Sequence, residues 1–383
     1  LYCYGKLFGA KIMSVQVSYK KQIQIFILLF LVILGVAEGT ARIYESLNPH
    51  CGFLKSDVMK DVDIFLKIKI CYDHDALKWY EDVITLYEPN QHFETININS
   101  HGFRGPEITK EKEDGTYRIF MVGGSTTFGA AASSDDNTIP SILQNKINNL
   151  QLDTKIEVIN AGIGGAGSAE EKFYIETKLL NFEPDLFIIY DGVNDAGENV
   201  TLETVDEEGK TISLKPIVKG ENEKTNDGLK FKNFPFYRTP FVAKQIFFNP
   251  NIDLPKTEIS EQSIQLFKQR WTDVCELGKK EGFSMVVSVQ PMLGSSTKIL
   301  SPSETIRVNE KDFLSGRLQT LDGMVEVLDD LDRHCTKTID LTNVFDNVNE
   351  PIYLDGAHLY DSGNKIVAEK MFEEIIPIIL DEI

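Results

Sequence analysis

The chain has 383 residues, of which 42% are hydrophobic and 25% charged, enough for one large globular domain with additional segments. Its formal net charge of −19 argues against a nucleic-acid partner, because a phosphate-binding protein needs a basic face. The same charge argues against electrostatic docking on an anionic membrane.

The N-terminal region combines a basic flank with an apolar run. Residues 1–21 carry lysines and no acidic residue, and residues 23–37 are apolar apart from Gln24. The run lies between the roughly 20 residues of a spanning helix and the roughly 7 to 15 of a cleaved signal core. In both interpretations the lysines of residues 1–21 stay on the cytoplasmic side of the membrane, and the chain after the apolar run is exported. We favour a single-pass membrane anchor at about 22–40 over a signal peptide that releases a secreted protein, and take 1–41 as one segment.

Residues 42–114 show no strong hydrophobic period, and we interpret them as a pre-domain or linker with short strands. The alternation of charged and apolar residues over Asp57–Ile70 predicts an exposed strand or an irregular segment. Glu94–Ser100 alternates like a strand, and a turn follows at His101–Pro106. Arg104 in this turn is expected to make a local structural contact rather than to act in catalysis.

From residue 115 to 383, short apolar runs alternate with helical patterns. The predicted strands are 117–122, 155–160, 185–190, 284–290 and 338–341, and the predicted helices are 138–150, 169–182, 260–281, 318–335 and 363–381. Apolar strands that alternate with helices indicate an α/β domain with a parallel sheet and helices on both of its faces. A long stretch without clear periodicity, at about 197–259, is interpreted as an insertion in this domain.

Polar residues follow the predicted strands at the edge where the carboxyl ends of parallel strands meet. Ser125 lies in a glycine-rich turn after the first strand, and His358 is the best candidate for the base that a serine nucleophile needs. Asp355, three residues earlier, can orient the imidazole of His358. Candidate donors to an oxyanion are the backbone N–H groups of Ser125 and Gly165 and the amide of Asn194.

The glycine turn at 123–129 has a competing interpretation as a phosphate-binding loop. Such a loop needs Lys followed by Ser or Thr, where this chain has Ala130 and Ala131. The glycine spacing does not match a dinucleotide fingerprint either. A nucleophilic serine is therefore the better interpretation.

Four blocks in this order resemble the SGNH/GDSL hydrolases. They are Gly124-Ser125, Asn160-x-Gly162-x-x-Gly165, Gly192-x-Asn194-Asp195 and Asp355-x-x-His358. The resemblance covers about residues 115–380. The spacing of the second block favours Gly165 over Gly164 as the oxyanion donor. The chain departs from the family at Gly124, where the family usually has Asp. The resemblance implies a three-layer α/β/α flavodoxin-like sandwich, the SGNH hydrolase fold, and ester hydrolysis or acyl transfer by a serine enzyme without metal or cofactor.

The expected function is hydrolysis of an acyl or O-acetyl ester on an extracytoplasmic glycan or lipid. An alternative is an O-acyltransferase that moves acetyl groups to cell-surface polysaccharide. A non-catalytic carbohydrate-binding protein is a third interpretation, which the complete set of serine, histidine and aspartate disfavours.

The insertion and the cysteines each leave two interpretations open. An insertion directly after Asn194 would lie over the active-site edge, so its aromatic residues either form a wall of the substrate pocket or only pack the insertion onto the body. Phe234, Phe236 and Tyr237 are the candidate wall residues. Five cysteines without CxxC spacing argue against a zinc cluster. In an exported protein the pairs Cys51–Cys71 and Cys275–Cys335 can form disulfides, and buried free thiols are the alternative.

Overall fold

The computed structural model describes residues 18–47, 56–81, 83–197, 203–205, 211–213, 259–309 and 312–383. The chain divides into two units, and the first contains the N-terminal helix α1 (Tyr19–Leu47). Within Tyr19–Tyr44, an 18-residue window of this helix has a mean hydropathy of 2.2, and by length and composition the helix could cross a membrane. A signal sequence near an N-terminus meets the same criterion.

The described part of the second unit contains, before the main sheet, a short 3-10 helix (Asp57–Met59), an α-helix and two small antiparallel strand pairs. These elements are α2 (Ile64–Ala76), β1 (Trp79–Glu81) paired with β2 (Thr85–Tyr87), and β3 (Gln91–His92) paired with β4 (Asn97–Ile98). The strand or irregular segment predicted over Asp57–Ile70 is wrong from Ile64 onward, where α2 forms, whereas Asp57–Met59 is a single short 3-10 turn. The Asp63 carboxylate caps the helix by accepting the N–H groups of Phe65 and Leu66 at 2.9 and 3.2 Å.

The remaining strands are β5 (Thr116–Gly123), β6 (Lys155–Gly162), β7 (Leu186–Asp191), β8 (Glu203–Val205), β9 (Thr211–Ser213), β10 (Ser284–Val289) and β11 (Lys337–Asp340). Five of them form a parallel sheet in the order β11-β10-β7-β5-β6, and β8 pairs with β9 in a separate antiparallel ribbon. The predicted parallel sheet is confirmed.

Helices cover both faces of this sheet. They are α3 (Ser125–Phe128), α4 (Ile139–Asn148), α5 (Ser168–Thr177), α6 (Glu261–Glu281), α7 (Pro302–Asn309), α8 (Asp312–Glu326), α9 (Leu328–Leu331) and α10 (Asp361–Glu382). Successive residues of β5 point to opposite faces. Phe120 therefore packs in the core shared with α5, α6 and α8, whereas Met121 packs in the core shared with α4 and α10. The predicted three-layer α/β/α sandwich is confirmed.

The strand order determines where a ligand can bind. Counted along the chain, the sheet has the flavodoxin-like order 2-1-3-4-5, and the winding reverses between β5 and β7. Open α/β sheets bind ligands outside the carboxyl ends of the strands at this reversal. Ser125 lies two residues beyond the end of β5, at that position.

A disulfide joins Cys275 of α6 to Cys335 before β11, with the two Cα atoms 4.9 Å apart. This is one of the two candidate pairs named in the sequence analysis. Cys71 is also disulfide-bonded. Cys51, its candidate partner, and the candidate wall residues Phe234, Phe236 and Tyr237 lie outside the described residues.

Candidate active site

The turn that carries Ser125 depends on the two glycines before it. A Cβ atom on Gly123 would lie 2.4 Å from the carbonyl oxygen of Tyr190, and one on Gly124 would lie 2.5 Å from Nδ2 of Asn194. Both distances are too short for non-bonded atoms. Glycine is therefore required at Gly123, where the close atom belongs to the backbone of β7, whereas a side chain at position 124 would displace the amide of Asn194.

Arg104 holds the other side of this turn. Its buried guanidinium donates to the Asp135 carboxylate at 2.7 Å and to the carbonyl oxygens of Phe128 and Gly129 at 3.0 and 2.7 Å. It also donates to the carbonyl oxygen of Thr95 at 2.8 Å. The expectation of a structural contact was right, but the expectation of a local one was wrong, because Arg104 connects the pre-domain to the helix that Ser125 begins.

A continuous chain of hydrogen bonds joins three of the residues singled out in the sequence. The Ser125 Oγ atom lies 2.7 Å from Nε2 of His358, and Nδ1 of His358 lies 2.7 Å from Oδ2 of Asp355. The other oxygen of Asp355 accepts the backbone N–H groups of Ala357 and His358 at 2.9 and 2.8 Å. These two bonds fix the carboxylate in the orientation that the imidazole needs.

The contact between Asp355 and His358 shifts the pKa of both groups. Burial alone would raise the pKa of Asp355, but the hydrogen bond from His358, the charge of His358 and the two backbone N–H groups outweigh it and hold the pKa well below its usual range. Burial alone would lower the pKa of His358, but the hydrogen bond and charge of Asp355 outweigh that effect and raise it above 6.5. Asp355 is thus a stable anion, and His358 has the basicity needed to accept a proton from serine.

Of the candidate oxyanion donors Asn194 and Gly165, the structure places only Asn194 in the lining of the pocket. Asn194 lines the same pocket as Ser125 and His358, and one N–H of its amide donates to the carbonyl oxygen of Ala166 at 2.6 Å, which leaves a second N–H. Gly165 has a φ of +80°, a conformation that favours glycine, but it is not among the residues that line the pocket. The N–H of Gly164 donates to the Tyr87 hydroxyl at 3.2 Å, which disfavours Gly164 as the donor.

A buried polar group that sequence reasoning missed connects the two candidate oxyanion loops. The Asp195 carboxylate, directly after Asn194, accepts the backbone N–H and the hydroxyl of Ser168 at 2.9 and 2.5 Å. Arg270 of α6 donates to the same hydroxyl at 2.9 Å and lies 3.4 Å from Asp195. Asp195 was visible as the last residue of the asparagine block, but no sequence signal linked Arg270 to it.

The pocket beside Ser125 has a volume of about 260 Å³. Its lining residues are Ser125, Thr126, Val193, Asn194, Gln290, Met292, Arg317, Asp355, Gly356, Ala357 and His358. Among the residues that the structure describes, no group of three or more His, Cys, Asp or Glu could hold a metal ion. The chemistry that this pocket offers is a serine, a base and hydrogen-bond donors.

Comparison with known proteins gives a family match and several similar solved structures. Residues 119–371 match the model of the family described as GDSL-like lipase/acylhydrolase. Similar solved structures include the acetyl xylan esterase AlAXEase, 16% identical over 68% of this chain and 100% of that chain, with a TM-score of 0.40. A variant of Axe2, an acetyl xylan esterase from Geobacillus stearothermophilus, is 13% identical over 70% of this chain and 97% of that chain, with a TM-score of 0.42.

A third solved structure, LAE5, is an alpha/beta hydrolase from the metagenome of Lake Arreo, Spain. It is 11% identical over 67% of this chain and 94% of that chain, with a TM-score of 0.40. No curated protein matches the chain. The family match covers more than half of the sequence, and the chain therefore belongs to the GDSL-like lipase/acylhydrolase family of ester-bond hydrolases.

Proposed function

We propose that Ser125 is the nucleophile of this esterase, that His358 is its general base and acid, and that Asp355 orients His358. The observation that carries the proposal is the unbroken hydrogen-bond chain from Ser125 Oγ through both ring nitrogens of His358 to Asp355. With the Nδ1 proton directed at Asp355, Nε2 is left as an acceptor that faces the serine hydroxyl.

In the first half of the reaction, Ser125 Oγ forms a bond to the acyl carbon while its proton moves to Nε2 of His358. The tetrahedral oxyanion then collapses, the bond to the alcohol oxygen breaks, and the alcohol leaves with the proton from His358. In the second half, water attacks the acyl-enzyme in the same way and gives its proton to His358. The carboxylic acid departs as Oγ takes the proton back.

The oxyanion is proposed to receive hydrogen bonds from the backbone N–H groups of Ser125 and Gly165 and from the amide of Asn194. Asn194 has the strongest structural support, because it lines the pocket and one of its amide N–H groups is already held by Ala166. An amide held in this way loses little freedom when it binds the developing charge. Gly165 is kept as a donor in this proposal because of its spacing in the block Asn160-x-Gly162-x-x-Gly165.

The proposed substrate is an acyl or O-acetyl ester of an extracytoplasmic glycan or lipid. A pocket of about 260 Å³ favours a short acyl group. Two features support an extracytoplasmic location: the apolar helix α1, and the disulfide between Cys275 and Cys335, since disulfides persist mainly in oxidising compartments. We propose an uncleaved membrane anchor, with a secreted form as the alternative.

The test of the mechanism is a pair of serine variants. Ser125→Ala is expected to abolish turnover of para-nitrophenyl acetate and labelling by a fluorophosphonate probe, because both need a nucleophilic hydroxyl. Ser141→Ala, in α4 and away from the pocket lining, is the matched control and should keep both. Esterase activity that survives Ser125→Ala would contradict the assignment. Acetyl transfer to added acceptor glycans at the expense of free acetate would instead identify an acyltransferase.

A further inference from the structure

The pre-domain supplies one side chain to the loop that carries Gly165. Tyr87 is the last residue of β2, and only 3% of its surface is exposed. Its hydroxyl accepts the N–H of Gly164 at 3.2 Å, across 77 residues of sequence. Tyr87 lies outside the four sequence blocks, and the proposed mechanism does not use it.

Two aromatic rings fix the position of Tyr87. The pairing of β1 with β2 places Trp79 opposite Tyr87, and their ring centroids lie 3.9 Å apart. The Phe128 ring stacks on Tyr87, with centroids 4.5 Å apart and an angle of 24° between the ring planes. Phe128 ends α3, the helix that Ser125 begins. Tyr87 therefore contacts the serine helix through its ring and the glycine loop, residues 163–166, through its hydroxyl.

The backbone N–H groups of the glycine loop are almost all committed to acceptors in the protein. The N–H of Ile163 donates to a carbonyl oxygen of β5 at 2.9 Å, and the N–H of Ala166 donates to the carbonyl oxygen of Ile163 at 3.1 Å. The N–H of Gly164 donates to Tyr87. Among the residues that the structure describes, none accepts a hydrogen bond from the N–H of Gly165, which is exposed. The loop therefore presents one N–H group to a ligand.

Both neighbours of Gly165 are anchored from outside the loop. Tyr87 binds the N–H of Gly164, and the amide of Asn194 donates to the carbonyl oxygen of Ala166 at 2.6 Å. Two successive glycines can rotate the peptide between them at little steric cost, so these anchors are needed to give the Gly165 N–H one direction. The contact with the pre-domain is also tight, because a Cβ atom on Gly164 would lie 3.3 Å from the Tyr87 hydroxyl oxygen.

We propose that Tyr87 is a positioning residue of the oxyanion hole, whose hydroxyl holds the Gly164 N–H so that the N–H of Gly165 is directed at the oxyanion. The inference rests on the proposed function and gives the pre-domain a part in the reaction. Tyr87 is not among the residues that line the pocket, so it acts through the glycine loop and not on the substrate. Burial raises the pKa of Tyr87 far above its ordinary value, so the residue stays a neutral phenol at every assay pH.

Tyr87→Phe in the full-length enzyme tests the proposal, because it keeps the stacked ring and removes only the acceptor. With para-nitrophenyl acetate we expect kcat to fall about 10- to 100-fold, while KM changes by less than about threefold, since a misdirected donor affects mainly the transition state. Ethylboronic acid forms a tetrahedral adduct with a serine Oγ and places an oxygen in the oxyanion position. Its Ki should rise by about the same factor as kcat/KM falls.

Tyr117→Phe is the matched control. The Tyr117 hydroxyl donates to the Glu382 carboxylate at 2.5 Å, and Tyr117 lies near the start of β5, at the opposite end of that strand from Ser125. This variant also loses one phenol hydrogen bond, and it should keep the wild-type kcat and the wild-type Ki of ethylboronic acid. Thermal melting of both variants identifies any loss that is due to unfolding.

Gly164→Ala disturbs the same contact from the side of the loop. Its added Cβ atom would lie 3.2 Å from the Trp79 ring and 3.3 Å from the Tyr87 hydroxyl oxygen, which pushes the loop away from the phenol. We expect a similar fall in kcat. The double variant with Tyr87→Phe should lose little more than the larger single loss, because both changes break one contact. Losses that multiply would contradict the proposal.

The pH profile separates this role from an effect on the serine, histidine and aspartate. Because Tyr87 makes no hydrogen bond to His358 or Asp355, the acid limb of kcat/KM in Tyr87→Phe should coincide with that of the wild type. A displaced acid limb, or a wild-type kcat and Ki in Tyr87→Phe, would overturn the inference. In either case the serine mechanism stands as long as turnover still requires Ser125, whereas turnover that survives Ser125→Ala would contradict the mechanism itself.

Discussion

At the scale of single residues, His358 uses its two ring nitrogens for different tasks. Nδ1 faces a carboxylate that stays ionised, and Nε2 faces the hydroxyl of Ser125. In the proposed mechanism, Asp355 thereby selects the tautomer of His358 and stabilises the imidazolium that forms when the serine proton arrives. The same contact raises the pKa of His358, so the contact determines the pH at which the base becomes available.

Replacing Asp355 should change both the rate and its pH profile. Because a protonated His358 cannot accept the serine proton, kcat/KM of the wild-type enzyme is expected to rise with pH through a His358 pKa above 6.5. Asp355→Asn removes the charge that raises this pKa, so the acid limb should move to lower pH. The plateau should fall on the order of 10⁴-fold, as when the wrong tautomer is held.

A pH series of kcat/KM with para-nitrophenyl acetate measures both effects. Asp361→Asn supplies a comparison, because that carboxylate contacts Ser133 rather than the imidazole. An acid limb that stays in place in Asp355→Asn would mean that another group sets the pKa of His358.

At the scale of elements, the two loops that carry the candidate oxyanion donors are joined by Asp195. Its carboxylate binds the first residue of α5, which follows the glycine loop, while Asp195 itself follows Asn194. Arg270 reaches the same group from α6. The separation between Gly165 and Asn194 therefore depends on a buried polar contact among three elements.

Asp195→Ala should loosen this spacing without removing an oxyanion donor. We expect kcat to fall about 10- to 100-fold with a smaller change in KM, because small misplacements of catalytic groups act mainly on the transition state. Ser168→Ala removes only the hydroxyl donor and leaves the backbone N–H of residue 168 and Arg270 beside Asp195, so it should lose less. Stopped-flow or steady-state assays with a short acyl ester measure the difference, and an unchanged kcat would show that the loops hold their spacing without Asp195.

Helices and strands with a clear hydrophobic pattern were predicted correctly from the sequence, and those without one were missed. Strands such as β5 and β7 were placed to within one or two residues, because both faces are buried and the runs are continuously apolar. Helix α2 was missed because its charged residues alternate with apolar ones. Its buried residues Lys67, Ile70 and Cys71 follow helical spacing, and the capping residue Asp63 was the overlooked signal.

The candidate site was predictable only where its residues lie in short motifs at strand ends. Ser125, Asn194, Asp355 and His358 could be brought together from the sequence because parallel strands share one carboxyl edge. Arg270 and Arg317 could not, since each lies inside a helix whose rotation about its axis the sequence does not specify. Their positions beside Asp195 and in the pocket wall appear only after the helices have packed.

At the scale of the whole molecule, the disulfide joins α6 to the segment before the edge strand β11, across 60 residues of sequence. A closed loop of that length restricts the unfolded chain and is expected to stabilise the fold by about 4 kcal/mol. The double variant Cys275→Ser with Cys335→Ser should lower the free energy of unfolding accordingly.

Urea unfolding followed by the fluorescence of the buried Trp271 would measure this loss. Reduced wild-type protein also loses the disulfide of Cys71, so its urea midpoint should lie at or below that of the double variant. An identical urea midpoint with and without reductant would contradict the prediction. The residues of the pocket are not part of this link, so kcat in the absence of urea should change little.

The apolar helix α1 makes the cellular location testable. If the helix is an uncleaved anchor, the full-length protein should sediment with membranes and resist carbonate extraction, because about 20 apolar residues hold a protein in the bilayer. Externally added protease should digest the catalytic domain in intact cells or spheroplasts. A shortened protein in the soluble fraction would identify the cleaved, secreted form instead.

Gly124 has a consequence for sequence redesign. Consensus replacement often stabilises proteins, and a family consensus would place aspartate at this position. Here the space for that side chain is taken by the amide of Asn194, 2.5 Å from the point where a Cβ atom would lie. A side chain at position 124 would therefore displace the Asn194 amide, so Gly124→Asp should be tested together with substitutions at position 194 rather than one position at a time.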